Sequence, residues 1–235
     1  MTLTPNSDSI RFVLCRPSHP GNIGAAARAI KTMGFADLRL VAPERFPAPE
    51  AQWMATHALD VLEHAVVCGT LPEAIKDCVH AFALSARPRE WSPRVLDVRT
   101  AARDAVGMAG PVALVFGSET AGLTNDEVFA CQSLVHIPAS REFSSLNLAQ
   151  AVQVVAYELH MALDVAIPFA RVEKAATVDD LEGLYAHLEE AAAASGFTTP
   201  QSRLRERWRR LFSRVPRLER EEVNILRGLL KALLK

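Results

Sequence analysis

Ile137-Pro138-Ala139-Ser140-Arg141-Glu142-Phe143-Ser144-Ser145-Leu146-Asn147-Leu148 follows a short apolar run, Leu134-Val135-His136-Ile137, and leads into an apolar stretch from Leu148 to Leu163. The run reads as a strand halted by a proline, which has no N–H for a ladder. The stretch reads as a helix, and two serines and an asparagine stand where it begins. Ser144 or Ser145 can serve as its N-cap, accepting from backbone N–H groups that lack a partner inside the helix. A second loop of the same kind, Phe116-Gly117-Ser118-Glu119-Thr120-Ala121-Gly122-Leu123, follows the buried-type strand Val112-Ala113-Leu114-Val115-Phe116. Open α/β sheets bind ligands beyond the carboxyl ends of their strands. Two small-residue, polar loops in tandem at such ends point to one shared pocket.

Outward from these loops, short β-rich runs alternate with helical periodicity from Ile10 to about Asp164. Strands are expected at Ile10–Cys15, Leu38–Val41, Ala65–Cys68 and His80–Leu84, besides the two above. Helices are expected at Asn22–Met33, Gln52–Glu63, Leu71–Cys78 with Thr70 as cap, Val98–Met108 and Asn125–Cys131. Such alternation argues for a parallel sheet covered on both faces, an α/β fold. A polar linker is expected over 165–178, where Ile167-Pro168 closes the long helix. Three helical segments follow, Asp179–Ala194, Gln201–Val215 and Glu219–Leu234, separated by Gly196 with Thr198-Thr199-Pro200 and by Pro216. The expected organisation is a domain over 1–164 and a small helical, basic domain over 179–235.

The 235 residues, 49% hydrophobic and 23% charged, are those of a soluble globular chain with a sizeable core. No apolar run approaches the roughly 18 residues of a membrane span. The polar start, Met1 to Ser9, lacks the basic and apolar regions of a signal peptide. Cys15, Cys68, Cys78 and Cys131 are widely spaced and form no C-x-x-C pair, which speaks against a zinc site or a disulfide framework. Seven histidines show no ligand spacing, and no metal is expected; His19 reads as a plain loop histidine. A reduced, cytoplasmic compartment fits these features. A nucleotide-binding oxidoreductase is disfavoured, because no G-x-G-x-x-G follows the first strand.

The net charge of −1 hides an asymmetry. From Gln201 to Lys235 there are 11 Lys+Arg against 4 Asp+Glu, so the remainder of the chain is acidic. A basic appendage of this kind meets an anionic partner, and RNA is the expected one. At about 100° per residue, Arg203, Arg207, Arg210 and Arg214 share one stripe, while Trp208, Leu211 and Phe212 are placed to pack inward.

With Asn22-Ile23-Gly24-Ala25-Ala26-Ala27-Arg28, the two loops resemble the three ordered motifs of the SPOUT class of RNA methyltransferases, in its TrmH-like branch. Those motifs read N-x-G-x-x-x-R, F-G-x-E-x-x-G-L and I-P-(loop)-S-L-N. Leu123-Thr124-Asn125, the segment Ser144 to Tyr157 and the tail Asn224-Ile225-Leu226-Arg227-Gly228 are similar to a branch that methylates the 2′-OH of cytidine or uridine in tRNA. The resemblance covers nearly the whole chain. It implies a deep trefoil knot formed between the second and third motifs, S-adenosyl-L-methionine as cofactor, position 32 of the anticodon loop as target, and a homodimer whose sites are completed by the second copy. A sibling enzyme acting on another tRNA position or on rRNA, and a non-catalytic RNA-binding scaffold, are the alternatives. One departure is Ser118, where many sequences of the branch carry arginine.

Methyl transfer from a sulfonium is an in-line displacement, so the protein must chiefly align donor and nucleophile and help a ribose hydroxyl lose its proton. Gly117 and Gly122 allow backbone to approach a cofactor closely. Backbone around Ile137 and Leu146 can read an adenine, with Ser144 and Ser145 beside it. The resemblance adds Leu84, Ser85 and Ala86 to this pocket. It makes Arg28 the arginine that acts on the ribose, and it assigns Ser145 and Asn147 to the active site. Being always protonated, Arg28 suits phosphate and alkoxide contact better than proton abstraction. Asn22 is read both as a site residue and as the N-cap of its helix, and Glu119 as a hydrogen-bonding partner of Asn22 or another loop. Arg87 and Arg89 are candidate phosphate contacts.

Overall fold

The strand β1 (Ile10–Cys15) is buried along its whole length. Its alternate side chains feed two cores: Phe12 and Leu14 one, Val13 and Cys15 the other. That is how a strand covered on both faces reads in sequence, as an unbroken apolar run. Around it stand β2 (Asp37–Val41), β3 (Val66–Cys68), β4 (His80–Leu84), β5 (Arg94–Asp97), β6 (Val112–Phe116) and β7 (Ser133–His136). They form one seven-stranded sheet in the order β3-β2-β1-β6-β4-β7-β5, every neighbouring pair parallel. The computed structural model describes residues 9–87, 92–140, 142, 144–163, 174–197, 203–215 and 218–234.

The first core packs α1 (Pro20–Thr32), α2 (Pro49–Ala55), α3 (Leu59–Glu63), α5 (Val98–Val106) and α7 (Leu148–Leu163) on one face of the sheet. The second packs α4 (Leu71–Ile75) and α6 (Asn125–Phe129) on the other. The expected α/β sheet is therefore present. Three local expectations are corrected. The helix expected over Gln52–Glu63 is broken: α2 ends at Ala55, Thr56 takes a left-handed φ of 49°, and a 3₁₀ turn precedes α3. Asn22 is not an N-cap, because α1 begins at Pro20 and places Asn22 inside the first turn. The edge strand β5 was not expected, since Val95 and Leu96 are its only apolar residues.

The motif glycine Gly24 has a packing role. A Cβ there would lie 2.0 Å from the carbonyl oxygen of Ala51, so α1 and α2 can approach only because the side chain is absent.

A third cluster joins α8 (Val178–Ala194), α9 (Leu204–Phe212) and α10 (Arg220–Leu233) through Leu181, Leu184, Tyr185 and Val223. Trp208 and Phe212 pack against it as expected, but Leu211 is 56% exposed and points away. Of the expected stripe, Arg203, Arg207 and Arg214 are exposed, while Arg210 is half-buried and engaged. Arg205 and Arg209 instead reach Glu182 of α8, at 3.0 and 2.6 Å. Val178 N–H donates to the carbonyl of Cys78, seating the start of α8 on the second core. Ile167-Pro168, Thr198-Thr199-Pro200 and Pro216 lie outside the described residues.

Candidate active site

The strands β4, β6 and β7 are neighbours in the sheet, so the loops after them open on one cleft. Its apolar floor includes Leu84, Phe116, Ile137 and Leu148. All nine residues expected to hold a cofactor line it: Leu84, Ser85 and Ala86 after β4, Gly117 and Gly122 after β6, Ile137, Ser144, Ser145 and Leu146 after β7. Arg87 stands exposed at its lip; Arg89 lies outside the described residues. The loop after β6 is closed tightly on itself. A Cβ on Gly117 would meet the carbonyl carbon of Gly122 at 2.1 Å, and Gly122 has a left-handed φ of 69°. Both glycines are therefore demanded by the backbone itself.

A chain of hydrogen bonds joins the three motifs beside this cleft. Asn147 precedes α7, and its Oδ1 accepts from the N–H of Ala149 at 2.9 Å. It, and neither Ser144 nor Ser145, is the N-cap. Asn147 Nδ2 then donates to Asn22 Oδ1 at 3.0 Å, and Asn22 Nδ2 to Glu119 Oε1 at 2.8 Å. Glu119 also accepts from the backbone N–H groups of Ser18 and His19 and from the hydroxyl of Ser18. The amide orientations are mutually fixed: a backbone N–H can only donate at one end, and an ionised carboxylate can only accept at the other.

Glu119 thus anchors Ser18 and His19, just ahead of α1, and the side chain of Asn22 in its first turn. His19, at the N-cap, makes no side-chain cap bond, and the Glu119 carboxylate lies at the positive end of the helix instead. Burial would raise its pKa, but donation from Asn22 and Ser18 outweighs this and holds it at about 2. Glu119, the one carboxylate lining the cleft among the described residues, is consequently a fixed anion and far too weak a base to collect a ribose proton.

Arg28 is not brought to the cleft. It lies exposed on α1, six residues beyond Asn22 on another side of the helix, with no side-chain partner among the described residues. Ser145 is exposed at the cleft wall. Sequence reading missed Arg16 and Ser18, which bind the loop after β6 from the end of β1. Thr124-x-x-Glu127 is legible as a capping-box pattern, but that pattern does not indicate that Glu127 is also the partner of Arg16. Among the described residues, no group of three His, Cys, Asp or Glu side chains could hold a metal ion. No described helix is long and apolar enough to cross a membrane.

Residues 9–157, which build this cleft, match the SpoU rRNA methylase family. The chain belongs to this family. Residues 179–235 match the C-terminal domain of the tRNA methyltransferase TrmJ. The tRNA (cytidine/uridine/adenosine-2′-O-)-methyltransferase TrmJ of Pseudomonas aeruginosa (strain UCBPP-PA14) is 46% identical over 239 residues, covering 95% of this chain and 93% of that protein. TrmJ from Z. mobilis ZM4, a crystal structure, is 37% identical with a TM-score of 0.85, covering 96% of this chain and 99% of that one. A more distant SpoU methyltransferase, AviRb from Streptomyces viridochromogenes in complex with the cofactor AdoMet, is 26% identical with a TM-score of 0.53, over 67% of this chain and 59% of that one. The three motifs of this SpoU methylase lie within residues 9–157, and its helical tail within 179–235.

Proposed function

We propose that this chain transfers a methyl group from S-adenosylmethionine to a ribose 2′-OH of tRNA, with the cytidine or uridine at position 32 of the anticodon loop as target. The observation that carries the reading is the bond series Asn147–Asn22–Glu119, which ties three separate motifs around one cleft. The cleft fits the cofactor: an apolar floor for an adenine and small residues at the loop after β6. Bound there, the cofactor supplies a methyl group made electrophilic by its sulfonium. The match of the tail to the TrmJ C-terminal domain favours tRNA over rRNA. The Pseudomonas relative is named for three nucleosides, which have the ribose 2′-oxygen in common and the base edges not.

In this reading Asn22, Glu119 and Asn147 hold the loops in register, and Ser145 orients the ribose. Arg28 holds the target phosphate and stabilises the developing alkoxide. Arg28 lies outside the cleft of its own chain, and α1 packs beside α7, which exposes Tyr157 and Met161. These features support a homodimer in which Arg28 serves the site of the second copy. The placement of β6 between β1 and β4, and of β7 between β4 and β5, supports the expected knot, since later strands enter between earlier ones. The chemistry suits a soluble, cytoplasmic protein.

The test is transfer of labelled methyl to unmodified tRNA transcripts, followed by digestion and nucleoside mass spectrometry. A 2′-O-methylated pyrimidine from the anticodon loop is the expected product. Methyl on a base, or transfer to rRNA alone, would overturn the reading.

A further inference from the structure

We infer that Arg16 is a positioning residue for this cleft: its guanidinium fixes the loop over 117–123 and thereby sets cofactor affinity, leaving turnover at saturation alone. The inference rests on the reading that the cleft takes S-adenosylmethionine.

Arg16 follows β1 directly, and its N–H still donates to the carbonyl of Val41 at 2.8 Å. Yet its φ is 49°, a left-handed conformation that is unfavourable for a side chain of this size. Strain of this kind persists where the surroundings make use of it. Here the turn carries the side chain to the loop after β6. Arg16 Nη2 donates to the carbonyl oxygen of Gly122 at 3.2 Å and to Glu127 Oε2 at 3.0 Å, and Nη1 pairs with Glu127 Oε1. The contact with Glu127 is the bidentate fork that guanidinium makes best with carboxylate.

Both ends of the clamp are themselves anchored. Glu127 Oε2 accepts the N–H of Thr124 at 2.7 Å, and the Thr124 hydroxyl accepts the N–H of Glu127, which closes the capping box of α6. Gly122 donates its N–H to the carbonyl of Ser118 at 2.9 Å and abuts Gly117 without room for a Cβ. The carbonyl that Arg16 grips is therefore the closing point of a loop that lines the cleft, while Arg16 itself does not line it. None of the three sequence motifs includes this arginine. A pair that served stability alone would lower the melting temperature of its variants and leave the affinity of the folded protein unchanged.

The experiment compares wild type, Arg16→Ala and Arg16→Lys by calorimetric titration with S-adenosylhomocysteine, thermal unfolding and steady-state transfer to tRNA. Losing a charge-assisted bond should weaken S-adenosylhomocysteine binding, and raise the KM for S-adenosylmethionine, by about tenfold in Arg16→Ala. Values of kcat at saturating cofactor and KM for tRNA should stay near wild type. Arg16→Lys keeps the charge but not the fork, and should recover part of the affinity. If Arg16→Ala does not fold, the lysine variant decides: weakened affinity with intact kcat supports the proposal, and wild-type affinity overturns it. A folded Arg16→Ala with wild-type affinity, or with lower kcat and unchanged KM, also overturns it. A wild-type protein that fails to bind S-adenosylhomocysteine would sink both this inference and the reading of the cleft.

Discussion

Asn147 and Asn22, 125 residues apart in sequence, share a hydrogen bond of 3.0 Å while Asn147 also caps α7. Capping and bridging therefore belong to one side chain and can be separated by its length. Serine caps a helix about as well as asparagine, whereas alanine costs about 1 kcal/mol. Asn147→Ser should hold stability within about 0.5 kcal/mol of wild type, and Asn147→Ala should not. Both lose the bridge, and misplacement on the order of 1 Å can slow a reaction about a hundredfold. Chemical unfolding together with single-turnover transfer would check this; a fully active Asn147→Ser would show that the bridge is dispensable.

Glu119 links acid stability to the same bond series. Its folded pKa of about 2 lies below the ordinary 4.5, so the stabilisation is complete above pH 4.5 and is lost as pH falls toward 2. With allowance for solvent screening at a partly shielded side chain, the contribution at neutral pH is about 1–2 kcal/mol. In Glu119→Gln an NH₂ group must face N–H donors, and that contribution disappears. The stability difference between wild type and Glu119→Gln should be largest near neutrality and shrink below pH 4.5. Urea unfolding across pH 2 to 7 would measure it, and a difference independent of pH would refute the assignment.

The sheet was legible because β1, β4 and β6 are buried on both faces and read as unbroken apolar runs. Their order was not, since pairing β6 with both β1 and β4 is a long-range choice that periodicity does not encode. β5 escaped because it is an edge strand whose Val95 is 57% exposed, leaving little apolar signal. The site was legible as residue types in loops, yet the sharing of roles was not. Asn22 looked like a cap and lies inside α1, while Asn147 does the capping for α7. Arg16 carried no local pattern, because its purpose is defined by Gly122 and Glu127, over 100 residues away.

Two motif glycines are constrained by different neighbours, and their variants should fail differently. A Cβ at Gly117 meets the backbone of Gly122 and Leu123 inside the cleft loop, so Gly117→Ala should abolish S-adenosylhomocysteine binding. A Cβ at Gly24 meets the backbone of Ala51 and forces α1 from α2. Overpacking of this kind costs about 1–3 kcal/mol, so Gly24→Ala should chiefly lower the melting temperature. Calorimetry and thermal unfolding on both variants would check the contrast; equal losses of affinity would erase it.

Arg28→Ala should keep fold and cofactor affinity, because the side chain is exposed and outside the cleft. Methyl transfer should fall by about a hundredfold or more, the size expected when a donor to developing charge is removed. Mixing Arg28→Ala with Gly117→Ala should restore part of the activity if one copy supplies Arg28 and the other the cleft. Near-normal transfer by Arg28→Ala alone would remove this arginine from the mechanism.

The arginines on α9 and in the turn just after it divide into two sets with opposite expected phenotypes. Arg209 bonds Glu182 at 2.6 Å and lies over the ring of Tyr185 at 5.7 Å, so it holds α9 to α8. Arg207 and Arg214 are exposed and make no side-chain bond among the described residues, which leaves them available to phosphate. Each phosphate contact contributes about 0.7–0.9 to the slope of log affinity against log salt. Changing both Arg207 and Arg214 to glutamine should therefore reduce that slope for tRNA by about 1.5 and leave the melting temperature and S-adenosylhomocysteine affinity unchanged. Arg209→Gln should do the reverse, destabilising the tail by about 1–3 kcal/mol, because the half-buried Glu182 loses the nearer of its two cations and keeps only Arg205. Filter binding of tRNA across a salt series, with unfolding curves for each variant, distinguishes the two sets. A double variant with an unaltered salt slope would mean that this face of α9 is solvated and does not meet the RNA.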